Sequence, residues 1–277
     1  MSENNTNAKC LQAVVIQADY FAGEDPAKEI LSFLFSELDR IPENSIAVLP
    51  EYTNATGLSD PALIEAAMSR TDMILEHVSA KAKEKKSYIA VNVLQHEGAG
   101  LANRTMLFSP EGEHVFTYQK KNIPPSEIAL GVLSGNGPSV FSHNGIRFGF
   151  LTCYDIYSAR LLEELAAGRP DIIVFPTYQR GERTDIIRAQ VKLLAFRCNA
   201  YVVRTSCSLH DPAYGGCSMI VSPDGQIRCD LADSIGSACV SVDPQWKYYR
   251  SAGFGGGIVR NDVFLEGRFQ WADTLKA

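Results

Sequence analysis

Apolar runs of strand length alternate with stretches of helical periodicity along most of this chain. That alternation leaves few architectures open. Residues 11–17 (LQAVVIQ), 45–49 and 88–94 read as strands. Between them, residues 26–39 carry Ile30, Leu31, Leu34 and Leu38 at helical spacing, and residues 61–85 form a long helical stretch divisible in two. A hairpin follows, with strands 104–108 and 114–118 around Pro110-Glu111-Gly112. Then the pattern restarts. Residues 140–141 and 146–152 are strands flanking Asn144-Gly145. Residues 159–167 are helical, with Gly168 expected at C′ and Pro170 as the stop. Strand 172–175, helix 185–198 and strand 200–204 come next, and a second hairpin, 217–221 and 226–231, turns at Pro223-Asp224-Gly225. The chain thus reads as two similar halves. Two helix-covered sheets placed face to face predict an α/β protein with a four-layer α-β-β-α sandwich.

Nothing between the halves has linker composition, so residues 10–243 read as one domain. Residues 1–9 are polar and Asn-rich, without the basic and apolar regions of a signal peptide, and are expected to form a disordered tail. Residues 244–277, rich in Gly, Tyr and Trp, are expected to form a C-terminal extension acting as an oligomerisation arm. The most apolar stretches fall far short of the roughly 20 residues of a membrane span, and a cytoplasmic setting is the expectation. A net charge of −6 lacks the basic footprint of a nucleic-acid partner. The longest basic run, Lys81 to Lys86, is interrupted by Glu84 and reads as a solvated helix face. The 7 cysteines are odd in number and form no CxxC pair, which makes a poor disulfide framework and a poor zinc site. No HExxH is present, and no Gly-rich phosphate loop precedes a helix, so neither metal nor cofactor is expected.

Three residues stand out by position. Cys153 ends an apolar strand and precedes a helix. A thiol there lies at the sheet edge where α/β proteins build sites, and a helix dipole favours its thiolate. The plainer reading is a buried structural cysteine. Glu51 follows the strand Ala47-Val48-Leu49-Pro50 and fits a general base or an exposed loop carboxylate. Lys120 follows the strand ending at Tyr118 and fits an oxyanion-stabilising cation or a solvent-facing lysine, with Lys121 as the alternative.

Taken in order, these segments resemble the nitrilase, or carbon–nitrogen hydrolase, superfamily. The likeness rests on Val48-Leu49-Pro50-Glu51, Tyr118-Gln119-Lys120 and Gly149-Phe150-Leu151-Thr152-Cys153-Tyr154-Asp155. It continues through Asp171 to Pro176, Asn199 to Val203 and Gly216 to Gly225, and spans residues 10–242. The resemblance implies the nitrilase-type sandwich and a thioester mechanism. Cys153 is then the nucleophile, Glu51 the base, and Lys120 with the Tyr154 backbone N–H the oxyanion donors. Glu127 matches the second glutamate of the family, with Gly135 downstream of it. Tyr52, Asn54, Tyr154, Thr177, Tyr178 and Arg180 are the expected pocket residues, and Arg183 is either a further contact or a surface arginine. Cys153-Tyr154-Asp155 resembles the amidase and carbamoylase branches, whereas true nitrilases resemble Cys-Trp-Glu. The implied partner is a small amide or N-carbamoyl substrate, and a homodimer or larger homo-oligomer is expected through helices 159–167 and 185–198.

Departures from the family pattern are also visible. The Arg-Ala-x-Glu-Asn helix is replaced by Leu194-Ala195-Phe196-Arg197-Cys198, and the Trp of the loop after Pro176 by Thr177-Tyr178-Gln179-Arg180-Gly181. Substrate therefore does not transfer from better-known members. Nitrile hydrolysis and acyl transfer are alternatives on the same residues. A Cys–His hydrolase would need a partner histidine, for which only His210, beside Asp211, is attractive. A non-catalytic assembly subunit of the same fold is the remaining alternative, and a uniquely reactive thiol would argue against it.

Overall fold

The computed structural model describes residues 10–20 and 26–266, so the expected tail 1–9 lies outside the described residues. The first half runs β1 (Leu11–Asp19), α1 (Pro26–Leu38), β2 (Ser45–Val48), α2 (Pro61–Met68), α3 (Thr71–Glu84), β3 (Tyr88–Glu97), β4 (Gly100–Phe108), β5 (His114–Gln119) and the short α4 (Pro125–Ala129). The second runs β6 (Val140–His143), β7 (Ile146–Phe150), a 3-10 turn (Cys153–Tyr157), α5 (Ala159–Ala167), β8 (Ile172–Pro176), α6 (Thr184–Cys198), β9 (Tyr201–Thr205), β10 (Cys207–Ser208), β11 (Met219–Val221), β12 (Ile227–Asp230) and β13 (Gly236–Val242). The chain continues through β14 (Tyr249–Ser251), β15 (Ile258–Arg260) and α7 (Asn261–Leu265).

One sheet has the order β10-β1-β2-β3-β4-β5, with β13 also paired to β1, and the other has the order β12-β11-β9-β8-β7-β6. In each, three parallel strands carry an antiparallel hairpin on one side and a single antiparallel strand on the other. The halves are thus related as the periodicity predicts, with one strand crossing between them. Strand β6 opens the second half and pairs its neighbour β7, whereas β13 ends the second half and pairs β1 of the first.

Alternation along each strand sorts the core into layers. Leu11, Ala13 and Val15 of β1 face inward, meeting Phe148, Phe150, Ile172, Val174 and Val203 of the opposite sheet. Val14 and Ile16 face outward onto Ile30 and Leu34 of α1, near Ile74 and Val78 of α3. Ile173 and Val202 pack outward with Leu165 of α5 and Ile187, Val191 and Leu194 of α6. Helix, sheet, sheet and helix form the expected four layers.

Local chemistry explains most element ends. The stretch 61–85 divides into α2, whose start Asp60 caps by accepting from the Ala62 and Leu63 amides at 2.8 and 3.2 Å, and α3, which begins afresh at Thr71. Asn199 closes α6 in the left-handed conformation, at φ 50°. At the end of α5 the expectation changes. Gly168 keeps ordinary helical dihedrals, and Arg169 takes the left-handed one at φ 49°. Gly168 is required for space, since a Cβ there would lie 2.4 Å from Val140 Cγ2. Within the described residues, the extension beyond β13 folds back on its own chain. Lys247 pairs with Asp171 at 2.9 Å, and Asn199 donates to Tyr248 O and to Asp262 at 3.0 and 2.9 Å.

Candidate active site

The parallel strands end at one edge of the sandwich, and the expected residues meet there. Glu51 follows β2, Lys120 follows β5 and Cys153 follows β7. Glu127 lies on α4 and completes the group. Lys120 Nζ donates to Glu51 Oε1 at 2.8 Å and to Glu127 Oε1 at 2.6 Å. Cys153 and Glu51 line the same cavity, and the Glu51 charge acts on the Cys153 thiol. Glu51 is 1% exposed and Lys120 fully buried, so neither takes the plainer reading of a surface residue. Cys153, half-buried, opens with Glu51 and Glu127 onto a cavity of about 550 Å³.

Two backbone positions at the site are unusual. Tyr52, directly after Glu51, has φ 58°, and Cys153 has φ 44°. Left-handed conformations at non-glycine residues cost energy and persist only where the surroundings impose them. The surroundings are visible at both places. Asn92 Oδ1 accepts the Tyr52 amide at 2.8 Å. Asp155, buried two residues after Cys153, accepts the Thr152 amide at 2.9 Å and the Tyr118 hydroxyl at 2.8 Å with one oxygen. Its other oxygen accepts the Lys121 and Asn122 amides at 3.2 and 2.7 Å. One carboxylate therefore ties the Lys120 loop to the Cys153 turn.

Sequence reading missed this support, although signals were present. Asn92 and Asn103 are polar residues inside buried strands, and such groups need partners. Asn103 Nδ2 donates to Glu51 Oε1 at 2.8 Å, while Asn92 Nδ2 donates to Asn103 Oδ1 at 2.7 Å. This chain aims the Glu51 carboxylate.

The electrostatics follow from burial and proximity. Burial alone would push the Lys120 ammonium down, but the carboxylates of Glu51 and Glu127 hold it above its ordinary value. Burial pushes the Glu127 carboxyl up to about 7, with Glu51 adding to the effect and Lys120 opposing it. Burial and the Glu51 charge push the Cys153 thiol well up, with Lys120 opposing. The dipole argument for a thiolate does not apply, because Cys153 opens a five-residue 3-10 turn and α5 starts only at Ala159. The resting group is a thiol beside a carboxylate, arranged for proton transfer during attack.

Of the expected pocket residues, Tyr52, Tyr154, Tyr178 and Arg180 line the cavity. Asn54 and Thr177 do not. Asn54 is buried beneath the wall, donating to Thr71 Oγ1 and Leu94 O at 2.8 Å each. Thr177 is fully buried and donates to Thr205 O at 3.0 Å. Arg183 pairs with Asp185 at 3.0 Å on the surface. The cavity wall also contains Leu58, Ile64, Leu94, Leu130, Tyr157 and Gln179, which the sequence did not single out. No histidine lines it, and His210 pairs with Asp19. The Cys–His alternative therefore lacks its geometry.

The carbon-nitrogen hydrolase family model matches residues 37–245. The chain is 24% identical over 173 residues to a Pseudomonas protegens protein described as a hydrolase in the pqqF 5′ region, covering 61% of this chain and 55% of that relative. It thus spans about half the length of that curated relative. Among solved structures, a Cys-to-Ala mutant of the Nesterenkonia AN1 amidase from the nitrilase superfamily superposes with a TM-score of 0.72 at 17% identity, covering 96% of this chain and 97% of that one. Saccharomyces cerevisiae Nit3, a member of branch 10 of that superfamily, gives 0.69 at 16% identity, covering 85% and 91%. At such identities the structures establish the shared fold, and the family model adds the lineage. The chain belongs to the carbon–nitrogen hydrolase family.

Proposed function

We propose that the protein hydrolyses a non-peptide C–N bond in a small linear amide or N-carbamoyl compound. The observation that carries this reading is the convergence of Cys153 and Glu51 on one cavity, with Lys120 Nζ bound to the same Glu51 carboxylate at 2.8 Å. Cys153 Sγ attacks the amide carbon as Glu51 takes the thiol proton. Lys120 and the Tyr154 backbone N–H receive the developing oxyanion. Glu51 passes its proton to the leaving nitrogen, and the C–N bond breaks to leave a thioester and a free amine or ammonia. Water, deprotonated by Glu51, then attacks the thioester and releases the carboxylic acid, and Glu51 returns the proton to the thiolate. Cys153-Tyr154-Asp155 favours an amide over a nitrile, in line with the amidase and carbamoylase resemblance.

An ammonia-release screen tests this. The panel holds short aliphatic amides, ω-amides of dicarboxylic acids, N-carbamoyl amines and amino acids, and nitriles, with Cys153→Ala protein as the blank. We expect turnover of an amide or carbamoyl class and its loss by at least about a thousandfold in the blank. Equal turnover by the blank removes Cys153 as nucleophile, and turnover confined to nitriles replaces the substrate class.

A further inference from the structure

Arg204, on β9 behind the cavity, is a fully buried cation outside the Glu51–Lys120–Cys153 group. No carboxylate pairs with it among the described residues. Its Nη1 donates to Gly216 O and Cys217 O at 2.6 and 2.8 Å, and its Nη2 to Gln179 Oε1 at 3.0 Å. Its Nε has no hydrogen-bond partner among the described residues. Three consecutive left-handed residues, Gly215, Gly216 and Cys217 at φ 65°, 54° and 58°, form the loop that supplies the two carbonyls. A buried guanidinium held only by neutral oxygens keeps its charge uncompensated.

Arg204 has only donors, which settles the orientation of Gln179. The Gln179 oxygen must face Arg204, so its amide nitrogen faces the cavity side. There Nε2 has two long contacts, Tyr157 Oη at 3.2 Å and Gln190 Oε1 at 3.4 Å. The Tyr157 hydroxyl donates onward to Glu182 at 2.6 Å, which leaves Tyr157 able to accept only from Gln179 or from a ligand donor. Bonds this long yield readily to a better acceptor. Gln179, Arg180 and Glu182 all line the cavity, and the Glu182 oxygens already accept from Tyr157 and the Arg183 amide, at 2.6 and 3.1 Å, so a donor and a guanidinium remain on this wall for a ligand.

We propose that Arg204 is a positioning residue that fixes Gln179 as a donor, and that this wall binds a second acceptor group on the substrate, best a carboxylate. The proposal rests on the amide-hydrolase reading and narrows it to amides that carry an anionic group besides the scissile carbonyl.

The test reads binding, so it does not depend on turnover. Cys153→Ala protein is titrated calorimetrically with the monoamide of glutaric acid and with pentanamide, its neutral counterpart of equal chain length. We expect the acidic amide to bind at least about tenfold more tightly, the scale of a hydrogen bond to a charged group. In the same background, Gln179→Glu keeps the shape and gives Arg204 a carboxylate, but turns an acceptor toward the cavity. Its melting temperature should not fall, while affinity for the acidic amide drops at least about tenfold and that for pentanamide stays within about threefold. A purely structural role for Gln179 would not produce that split. Arg204→Met should move affinity in the same direction and Arg204→Lys should restore part of it, and Gln179→Glu decides the matter if Arg204→Met fails to fold. Equal binding of the two amides, no binding of either, or a preference unmoved by Gln179→Glu overturns the proposal. An acidic amide that binds but is not cleaved by the intact protein counts against the hydrolase reading alone.

Discussion

Glu127 holds its proton near neutral pH because its carboxyl is buried beside Glu51, and Lys120 relieves that only in part. The consequence for stability has a definite sign. A carboxyl raised from its ordinary 4.5 to about 7 holds its proton more tightly in the folded chain than in the unfolded one. Both states hold the proton below that window and neither holds it above, so the contribution is full at low pH and is lost as pH rises through the window. Glutamine at 127 cannot titrate. Urea unfolding at pH 5 and pH 7.5 should show the intact protein losing stability relative to Glu127→Gln, by about 1–3 kcal/mol. Parallel stability changes in the two proteins would place the proton elsewhere. Glu51, Lys120, Cys153 and Glu127 could be named from sequence because each follows a recognisable local run. Asn103 and Asp155 could not, because their partners lie 52 positions away at Glu51 and 37 positions away at Tyr118.

Between α4 and β6 the chain presses against the end of β5, and this positions Lys120. Gly135 N donates to Lys120 O at 2.8 Å. A Cβ at Gly135 would lie 2.4 Å from Gln119 O, a backbone atom that cannot move aside cheaply. Gly135→Ala should therefore cost about 1–3 kcal/mol and lower kcat by displacing Lys120. Gly137→Ala, where a Cβ meets nothing within 4 Å, should leave both unchanged. Melting curves and kcat for the pair check this. Equal effects would make the loop merely intolerant of side chains. The same scale shows where helix reasoning misled: Cys153 is the first residue of a 3-10 turn, and its environment comes from Glu51 and Lys120 rather than from a dipole.

The crossing of β13 onto β1 makes the two halves one folding unit. A fragment ending before β6 loses β13, which covers β1. The complementary fragment keeps the β6–β7 hairpin but leaves β13 without β1. Each would also expose the face built by Leu11, Val15, Phe148 and Val174. We expect residues 1–138 and 139–277 to show no cooperative melting when prepared apart and to regain it when produced together, followed by circular dichroism. A cooperative transition in either fragment alone would show that the halves are independent domains.

Strand-and-helix alternation, the two-half repeat and the ordered segments around Glu51, Lys120 and Cys153 are local properties, and the sequence determined them by itself. Side-chain period and turn chemistry act over a few residues, which is why the four layers could be foreseen. Strand β13 escaped notice because its residues alternate weakly and its place is set by pairing with β1, more than 200 positions earlier. Asn54 and Thr177 looked like pocket residues because they adjoin strand ends, yet their side chains turn to Leu94 and Thr205. Only the tertiary structure decided which polar groups point inward, that Arg204 would lie buried behind Gln179, and how the cavity is walled. Burial, proximity and hydrogen-bond direction depend on which distant strands become neighbours, and no local pattern specifies that.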